Sequence, residues 1–169
     1  MEELPVRKPN RFIGYNYSSA GHYFITICTK DKINILGDLV GQNASVGAAH
    51  PGGPQINLTE VGQMVRVFIK KISISYQNVS VDQYTIMPNH IHLILVVAGG
   101  TPGCASPTKS TVAKVVNALK ALTSKQFGQT LWQRSYHDHI IRNEDEYRRI
   151  YDYIDTNPMK WMDDIYFIK

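Results

Sequence analysis

The chain has 169 residues, of which 43% are hydrophobic and 19% charged, so one domain with a substantial core is expected. This apolar share excludes a wholly disordered chain, and no apolar run approaches the roughly 20 residues that span a bilayer. The net charge of +4 permits a nucleic-acid partner without requiring one. The first residues lack a secretory pattern, and two cysteines are too few for a disulfide framework. These features predict a single cytoplasmic domain over residues 1–169 with no membrane partner.

Strand-forming residues dominate 21–29, and further strand patterns follow at 33–40, 79–87, 90–97 and 131–141. Between the third and fourth of these strands, Pro88-Asn89 is typical of a hairpin turn. Two stretches, 41–56 and 98–109, are rich in Gly, Ala and Pro and have no apolar period. They are predicted to be flexible loops.

Three segments have the apolar period of a helix. The first is 59–73, and the second is capped by Ser110 and closed by Gly128. The third follows a capping box of Asn143 and Glu146 and must end at or before Pro158. The inner face of the second helix is predicted to carry Val112, Val115, Val116, Leu119 and Leu122. Strands and helices in this order predict an α+β fold, with helices packed against an antiparallel sheet.

The most specific local feature is His90-Ile91-His92 on a predicted strand. Residues two apart on a strand face the same way, so both imidazoles can converge on one metal ion or phosphate. Ile91, Leu93 and Leu95 then share the opposite, buried face. The alternative is a pair of hydrogen-bonded histidines on a half-exposed strand.

The third helix carries a tyrosine that packing does not explain. Tyr147, Ile150, Tyr151 and Ile154 form its core stripe, whereas Tyr153 lies off that stripe on the same flank as Asn157. A surface tyrosine beside the core edge is the structural alternative. A second pair, His137 and His139, competes as a metal site by spacing alone but lacks the surrounding apolar alternation.

Several short runs follow one another along the chain: Gly14-Tyr-Asn-Tyr-Ser, Gly21-His-Tyr-Phe-Ile-Thr-Ile-Cys-Thr, Met87-Pro-Asn-His-Ile-His, Trp132-Gln-Arg-Ser-Tyr, His139-Ile-Ile-Arg-Asn-Glu and Tyr153-Ile-Asp-Thr-Asn-Pro, with Trp161 and Asp163 behind them. In this order they resemble the REP-associated tyrosine transposases, single-strand transposases with one catalytic tyrosine. The resemblance covers about residues 7–165.

This resemblance implies a ferredoxin-like domain of the HUH endonuclease type. His90 and His92 match its paired metal ligands, Tyr153 matches its nucleophile, and Asn157 matches the helix residue that completes the metal site. The implied cofactor is Mg²⁺ or Mn²⁺, and the implied product is a covalent 5′-phosphotyrosine. Insertion-sequence relatives usually carry Gln at the position of Asn157, although either amide oxygen suits a hard cation.

Basic residues are available for DNA contacts, which position a strand without reading its sequence. The candidates are Arg7, Lys8, Arg11, Lys120, Arg134 and Arg142. Trp132 and Tyr136 are candidate stacking platforms. The predicted partner is single-stranded DNA that forms palindromic hairpin repeats, bound by a monomer or a homodimer.

The leading hypothesis is thus a metal-dependent endonuclease and strand transferase for single-stranded or hairpin DNA. One alternative is a non-catalytic nucleic-acid-binding module on the same ferredoxin-like scaffold. Another is a hydrolytic metalloprotein centred on His137 and His139.

Overall fold

A computed structural model of the protein describes residues 20–40, 55–99 and 111–167. Two short 3-10 segments, Lys30–Lys32 and Asn157–Asp163, accompany the regular elements in these ranges. The regular elements are β1 (Gly21–Cys28), β2 (Gly37–Val40), β3 (Gln55–Leu58), α1 (Glu60–Ser75), β4 (Val79–Ile86), β5 (His90–Val97), α2 (Thr111–Phe127), β6 (His137–Ile141) and α3 (Glu144–Thr156).

The central sheet has four antiparallel strands in the order β4-β5-β1-β6. Strands β4 and β5 form the predicted hairpin, whose turn is closed where the Met87 amide donates to the His90 carbonyl over 2.9 Å. Strands β2 and β3 pair separately as a two-stranded ribbon. The predicted α+β architecture with an antiparallel sheet is confirmed.

The two faces of the sheet are covered by different helices. On one face, Ile25, Ile91 and Leu93 join the main core, to which α1 and α2 contribute Val65, Ile69, Val116 and Leu119. On the other face, Ile94 and Ile141 pack against Ile154 of α3 in a smaller cluster. The alternation predicted for β5 is therefore observed, and its histidines share the face that α3 covers.

Several strand boundaries differ from those predicted. Strand β2 begins at Gly37 rather than at residue 33, because the Ile35 and Leu36 amides both donate to the Pro88 carbonyl instead of to a neighbouring strand. The 3-10 turn Lys30–Lys32, in which Asp31 and Lys32 have positive φ, precedes this stretch. Strand β3 begins at Gln55, inside the predicted loop 41–56, whereas residues 41–54 of that loop and 100–109 of the other lie outside the described residues. Strand β6 begins at His137 rather than Leu131, since the segment before it makes only an isolated bridge between Trp132 and Thr29.

The helix boundaries agree more closely. Thr59 caps α1 by accepting from the Gly62 amide, and Asn143 caps α3 by accepting from the Glu146 amide over 2.9 Å. Gly128 follows α2 with φ +85, and α3 ends before Pro158 as predicted. Ser110 lies outside the described residues. None of the helices in the described ranges is long and apolar enough to cross a membrane.

One residue of the predicted α2 face is placed wrongly. Leu122 is half exposed, and the neighbouring Thr123 is fully buried in its stead. The Thr123 hydroxyl donates to the Leu119 carbonyl and accepts from the Trp132 indole over 2.7 Å, so both of its polar functions are used. A hydrogen-bonded threonine can therefore take a core position that the apolar pattern assigned to leucine.

Candidate metal and nucleophile site

The His90 and His92 side chains lie side by side on the α3-covered face of the sheet. Both are essentially fully buried, and their Nε2 atoms are 3.0 Å apart. Strand alternation alone produces this arrangement, since Ile91 between them points into the main core. Two ring nitrogens at this separation form a ready pair of ligands for one cation.

Each histidine is held through its other ring nitrogen. Nδ1 of His90 is 2.9 Å from Oδ1 of Asn89, and Nδ1 of His92 is 2.8 Å from the Thr26 hydroxyl. The Phe24 ring also stacks on the His92 ring with centroids 5.2 Å apart. Metal-binding histidines in proteins are oriented in this way by partners of the nitrogen that does not face the metal.

Tyr153 reaches the same place from α3. Its hydroxyl is 3.3 Å from Nε2 of His92, and it donates to Oδ2 of Asp164 over 3.4 Å. The side chain is 38% exposed, so a substrate can approach the hydroxyl from solvent. Tyr151, placed on the core stripe by the sequence pattern, is 37% exposed and is therefore no better buried than Tyr153.

Asp164 joins the site from the residues that follow the second 3-10 segment. Its Oδ2 accepts from Nδ2 of Asn157 over 2.8 Å, and its Oδ1 accepts from the Tyr166 amide over 2.7 Å. His90, His92 and Asp164 each offer a ligand atom, and these atoms all lie within 4.8 Å of one another. Within the described ranges, this is the one group of three such ligands.

A divalent cation fits this group of side chains. Oδ1 of Asn157 is buried and has no hydrogen-bond partner within the described residues, which is a costly state for an amide oxygen. Because Nδ2 of the same amide donates to Asp164, the Asn157 side chain lies beside this group, and its oxygen is available as a further ligand. Two imidazoles, a carboxylate and an amide oxygen form a mixed nitrogen and oxygen ligand set that can hold a divalent cation.

The electrostatics keep the two imidazoles neutral. Burial lowers the pKa of His90 to about 3, with a further contribution from the charge of Lys32. Burial also lowers the pKa of His92 to about 3, with the neighbouring His90 adding to the effect. Neutral imidazoles are the form that binds a metal, so these side chains are ready to do so at neutral pH.

The Tyr153 phenol, in contrast, is not in its reactive, deprotonated form at neutral pH. Burial and the nearby charge of Asp164 raise its pKa to about 12. In the absence of a cation the hydroxyl therefore stays protonated at neutral pH and requires a proton acceptor before it can act as a nucleophile. Oδ2 of Asp164 is the acceptor within reach of its hydrogen.

Asp164 was not predicted from the sequence. The motif that follows the tyrosine pointed to Trp161 and Asp163, which is exposed, and Asp164 reaches the site only because the chain turns after Trp161. No periodic sequence pattern predicts the turn after Trp161. The adjacent acidic pair was the available signal, since one of two neighbouring carboxylates at the end of a helix can face inward.

The second histidine pair lies at the edge of the sheet. His137 and His139 are both exposed on β6, and Nε2 of His139 is 2.7 Å from a carboxylate oxygen of Glu146. Neither histidine belongs to a group of three potential metal ligands within the described residues. Their geometry gives no support to a metalloprotein centred on this pair.

The basic residues predicted to contact DNA differ in their exposure and in their hydrogen bonds. Arg134 and Arg142 are exposed, whereas Arg7, Lys8 and Arg11 lie outside the described residues. The Lys120 ammonium donates to the carbonyls of Gln133, Arg134 and Ser135, the first over 2.6 Å. Of the proposed stacking platforms, Trp132 is buried in the core and Tyr136 packs partly against it.

Comparison with known proteins identifies the class. The profile of the family described as "Transposase IS200 like" matches residues 55–157, more than half of the chain, and this range includes His90, His92, Tyr153 and Asn157. An uncharacterised protein of Haemophilus influenzae is 32% identical over 180 aligned positions, which cover 96% of this chain and 93% of that protein. The chain thus belongs to the IS200-like transposase family.

More particular similarities lie within that class. The REP-associated tyrosine transposase of Escherichia coli is 27% identical over 103 residues, covering 61% of this chain and 58% of that protein. A solved structure of a REP-associated tyrosine transposase bound to a REP hairpin superposes with a TM-score of 0.59 at 22% identity. That structure covers 95% of this chain and is itself covered over 74% of its length, and it shows a shared fold. The resemblance that the sequence motifs indicated is confirmed.

Proposed function

We propose that this transposase cleaves and rejoins single-stranded or hairpin DNA with Tyr153 as its nucleophile. The observation that carries the proposal is the 3.3 Å distance between the Tyr153 hydroxyl and Nε2 of His92. The proposed nucleophile is solvent-accessible and lies beside the paired imidazoles that would hold a cation. The HUH endonuclease assignment follows from the same pair, in which Ile91 separates the two histidines.

His90, His92 and Asp164, with the amide oxygen of Asn157, would hold Mg²⁺ or Mn²⁺. When bound, the ion polarises a non-bridging oxygen of the scissile phosphate and offsets the charge that develops there. Of these ligands, His90, His92 and Asn157 are buried and Asp164 is partly buried. Asn157 has a double role, since its nitrogen donates to Asp164 and its oxygen has no partner within the described residues.

Tyr153 performs the covalent step. Its oxygen bonds to phosphorus while the bond between phosphorus and the 3′ oxygen breaks. The phenol proton passes to Oδ2 of Asp164, 3.4 Å away, and the departing oxygen takes a proton from solvent to become a free 3′-hydroxyl. The product is a 5′-phosphotyrosine, and attack on it by a 3′-hydroxyl reverses the step and joins a new strand.

The proposed substrate is a DNA hairpin with a single-stranded flank. A REP hairpin is what the REP-associated transposase of similar fold holds in its solved structure. Arg134 and Arg142 are exposed, and Arg142 immediately precedes the cap of the helix that carries Tyr153. We propose that these two residues contact backbone phosphates, together with Arg7, Lys8 and Arg11.

The test uses Tyr153→Phe with Tyr151→Phe as its matched control. The two tyrosines lie on one helix and are equally exposed, at 38% and 37%. The probe is a pool of hairpin oligonucleotides with randomised single-stranded flanks, incubated with Mn²⁺ and then resolved in denaturing gels. We expect a covalent protein–DNA adduct with the wild type and Tyr151→Phe, and none with Tyr153→Phe.

An adduct that persists in Tyr153→Phe would contradict the proposed mechanism. DNA binding that ignores chelator and yields no adduct from any of the three proteins would favour the non-catalytic binding module. Omission of Mn²⁺ should abolish the adduct while Tyr153 is intact. An adduct that forms without metal would refute the role of the cation and leave only Tyr153 as the nucleophile.

A further inference from the structure

Asn89 is a fully buried polar residue in the β4–β5 turn, directly before the first metal-binding histidine. Its Nδ2 donates to the carbonyls of Lys32 and Tyr166 over 3.2 and 2.8 Å. Its Oδ1 lies 2.9 Å from Nδ1 of His90, and its own carbonyl accepts from the amide and hydroxyl of Thr29. Asn89 thus joins β5 to the segments that contain Thr29, Lys32 and Tyr166.

The orientation of the Asn89 amide follows from its partners. Backbone carbonyls only accept hydrogen bonds, so the atom that faces those of Lys32 and Tyr166 must be the NH₂ group. The atom that faces His90 is then the oxygen, and Nδ1 of His90 has to carry the hydrogen that it accepts. In a neutral imidazole this leaves a lone pair on Nε2, the atom that faces His92.

The same amide fixes the position of Asp164. Its bond to the Tyr166 carbonyl holds the segment whose Tyr166 amide donates to Oδ1 of Asp164. The Tyr166 ring also lies against the His90 ring, with centroids 4.7 Å apart. The buried Asn89 side chain therefore contacts His90 on β5 and also holds the segment after the second 3-10 segment, which contributes Asp164.

We propose that Asn89 is a positioning residue that sets the His90 tautomer and the placement of Asp164 together, and so prepares the site for a divalent cation. The proposal rests on the metal site of the proposed function. It assigns Asn89 no contact with the ion or the DNA. Partners of this kind typically change metal affinity 10- to 100-fold when they are removed.

His92 lacks such a constraint. Its Nδ1 faces the Thr26 hydroxyl, which can donate or accept. Because Nε2 of His90 carries a lone pair, the 3.0 Å contact between the histidines is attractive only when Nε2 of His92 carries a hydrogen. The metal-free protein should thus hold two opposite tautomers, Nδ1–H in His90 and Nε2–H in His92.

The first measurement needs no variant at this position. Imidazole ¹⁵N spectra of the metal-free chain, labelled at histidine and assigned with His90→Gln and His92→Gln, report the tautomer of each ring. We expect Nδ1–H for His90. An Nε2–H tautomer of His90 in the wild type would overturn the proposal.

The second measurement is Mn²⁺ affinity, followed by electron paramagnetic resonance. Asn89→Leu removes both the Oδ1 and the Nδ2 hydrogen bonds at similar side-chain volume. We expect at least a tenfold loss of Mn²⁺ affinity together with loss of the Nδ1–H signal of His90. Thr123→Val is the matched control, since Thr123 is also buried and hydrogen-bonded but lies in the main core. It should leave both readouts unchanged.

A double-mutant cycle tests whether Asn89 positions Asp164. If Asn89 seats Asp164, Asn89→Leu should cost less Mn²⁺ affinity in an Asp164→Asn background than in the wild type. If Asn89→Leu reduces Mn²⁺ affinity equally in the two backgrounds, Asn89 does not position Asp164. Wild-type protein that binds no Mn²⁺ would refute the metal site itself, whereas tight Mn²⁺ binding that Asn89→Leu leaves intact would refute only the role of Asn89.

Discussion

The Tyr153 hydroxyl contacts Nε2 of His92 across 3.3 Å, although the two residues lie on different elements, α3 and β5. Their meeting depends on how α3 lies on the sheet. Ile154, the next residue along the helix, is buried against Ile94 and Ile141 and fixes the rotation of α3. Tyr153 then points along the sheet face toward the histidine pair.

Asp164→Ala should weaken the binding of Mn²⁺ at least tenfold, because it removes a carboxylate from the cluster of ligand atoms. Asp163→Ala is the matched control. Asp163 precedes Asp164 directly but is exposed, so its loss should change the affinity less than twofold. Calorimetric titration of both variants checks the prediction, and equal losses would show that only the general acidity of the segment matters.

Metal-free protein should lose stability on acidification below pH 6.5. In the folded state the pKa of His90 and His92 is lowered from 6.5 to about 3, so between these values the unfolded chain binds more protons. The free energy of unfolding should fall with a slope approaching about 1.4 kcal/mol per pH unit for each histidine. Urea titrations in EDTA from pH 7 to pH 4.5 measure this slope.

The control for this pH profile is the double variant His90→Gln with His92→Gln, which has no titrating side chain at these positions. Its stability should depend on pH less steeply than that of the wild type over the same interval. Profiles of equal slope would assign the acid sensitivity to carboxylates elsewhere. One such group is Glu146, whose pKa is lowered by hydrogen bonds from the Arg142 amide and from His139.

Lys120→Met should destabilise the protein by about 1–3 kcal/mol, because three backbone carbonyls of residues 133–135 lose their charged donor. Lys114→Met, on an exposed position of the same helix, should change stability by less than about 0.5 kcal/mol. Urea unfolding compares the two. If Lys120→Met instead leaves stability intact and flattens the salt dependence of DNA binding, Lys120 is a phosphate contact as the sequence predicted.

Gly62→Ala should destabilise the protein by about 2 kcal/mol or more. A Cβ at this position would overlap the backbone oxygen of Leu36, which also accepts from the Thr59 amide and cannot easily move. Gly99→Ala is the control, since its Cβ would meet only Ala20 at 3.8 Å. Thermal unfolding of both variants checks the difference, and a Gly62→Ala protein as stable as the wild type would contradict this close approach.

The parts of the molecule that local chemistry determines were predictable from the sequence. Alternation on β5 placed His90 and His92 on one face, and the Asn143 cap marked the start of α3. Both features depend on residues close together in the chain. Tyr153 was singled out because it breaks the apolar stripe, and the structure brings it to the histidines.

Features that depend on distant contacts were missed. Strand β3 is only four residues long, and its pairing with β2 joins segments on either side of a Gly- and Pro-rich stretch. Asp164 reaches the site through a turn that no periodicity marks. Thr123 replaces Leu122 in the core because the Trp132 indole, from another segment, supplies its hydrogen bond.

The two-residue spacing of the histidines restricts how this strand can change in evolution. Substitutions of Ile91 by other apolar residues should preserve the site, since Ile91 packs in the main core on the opposite face. A single inserted or deleted residue within β5 would instead exchange the two faces of the strand beyond it. Length variation around the site should therefore be confined to connections such as the segment between β2 and β3, while β5 keeps a constant length.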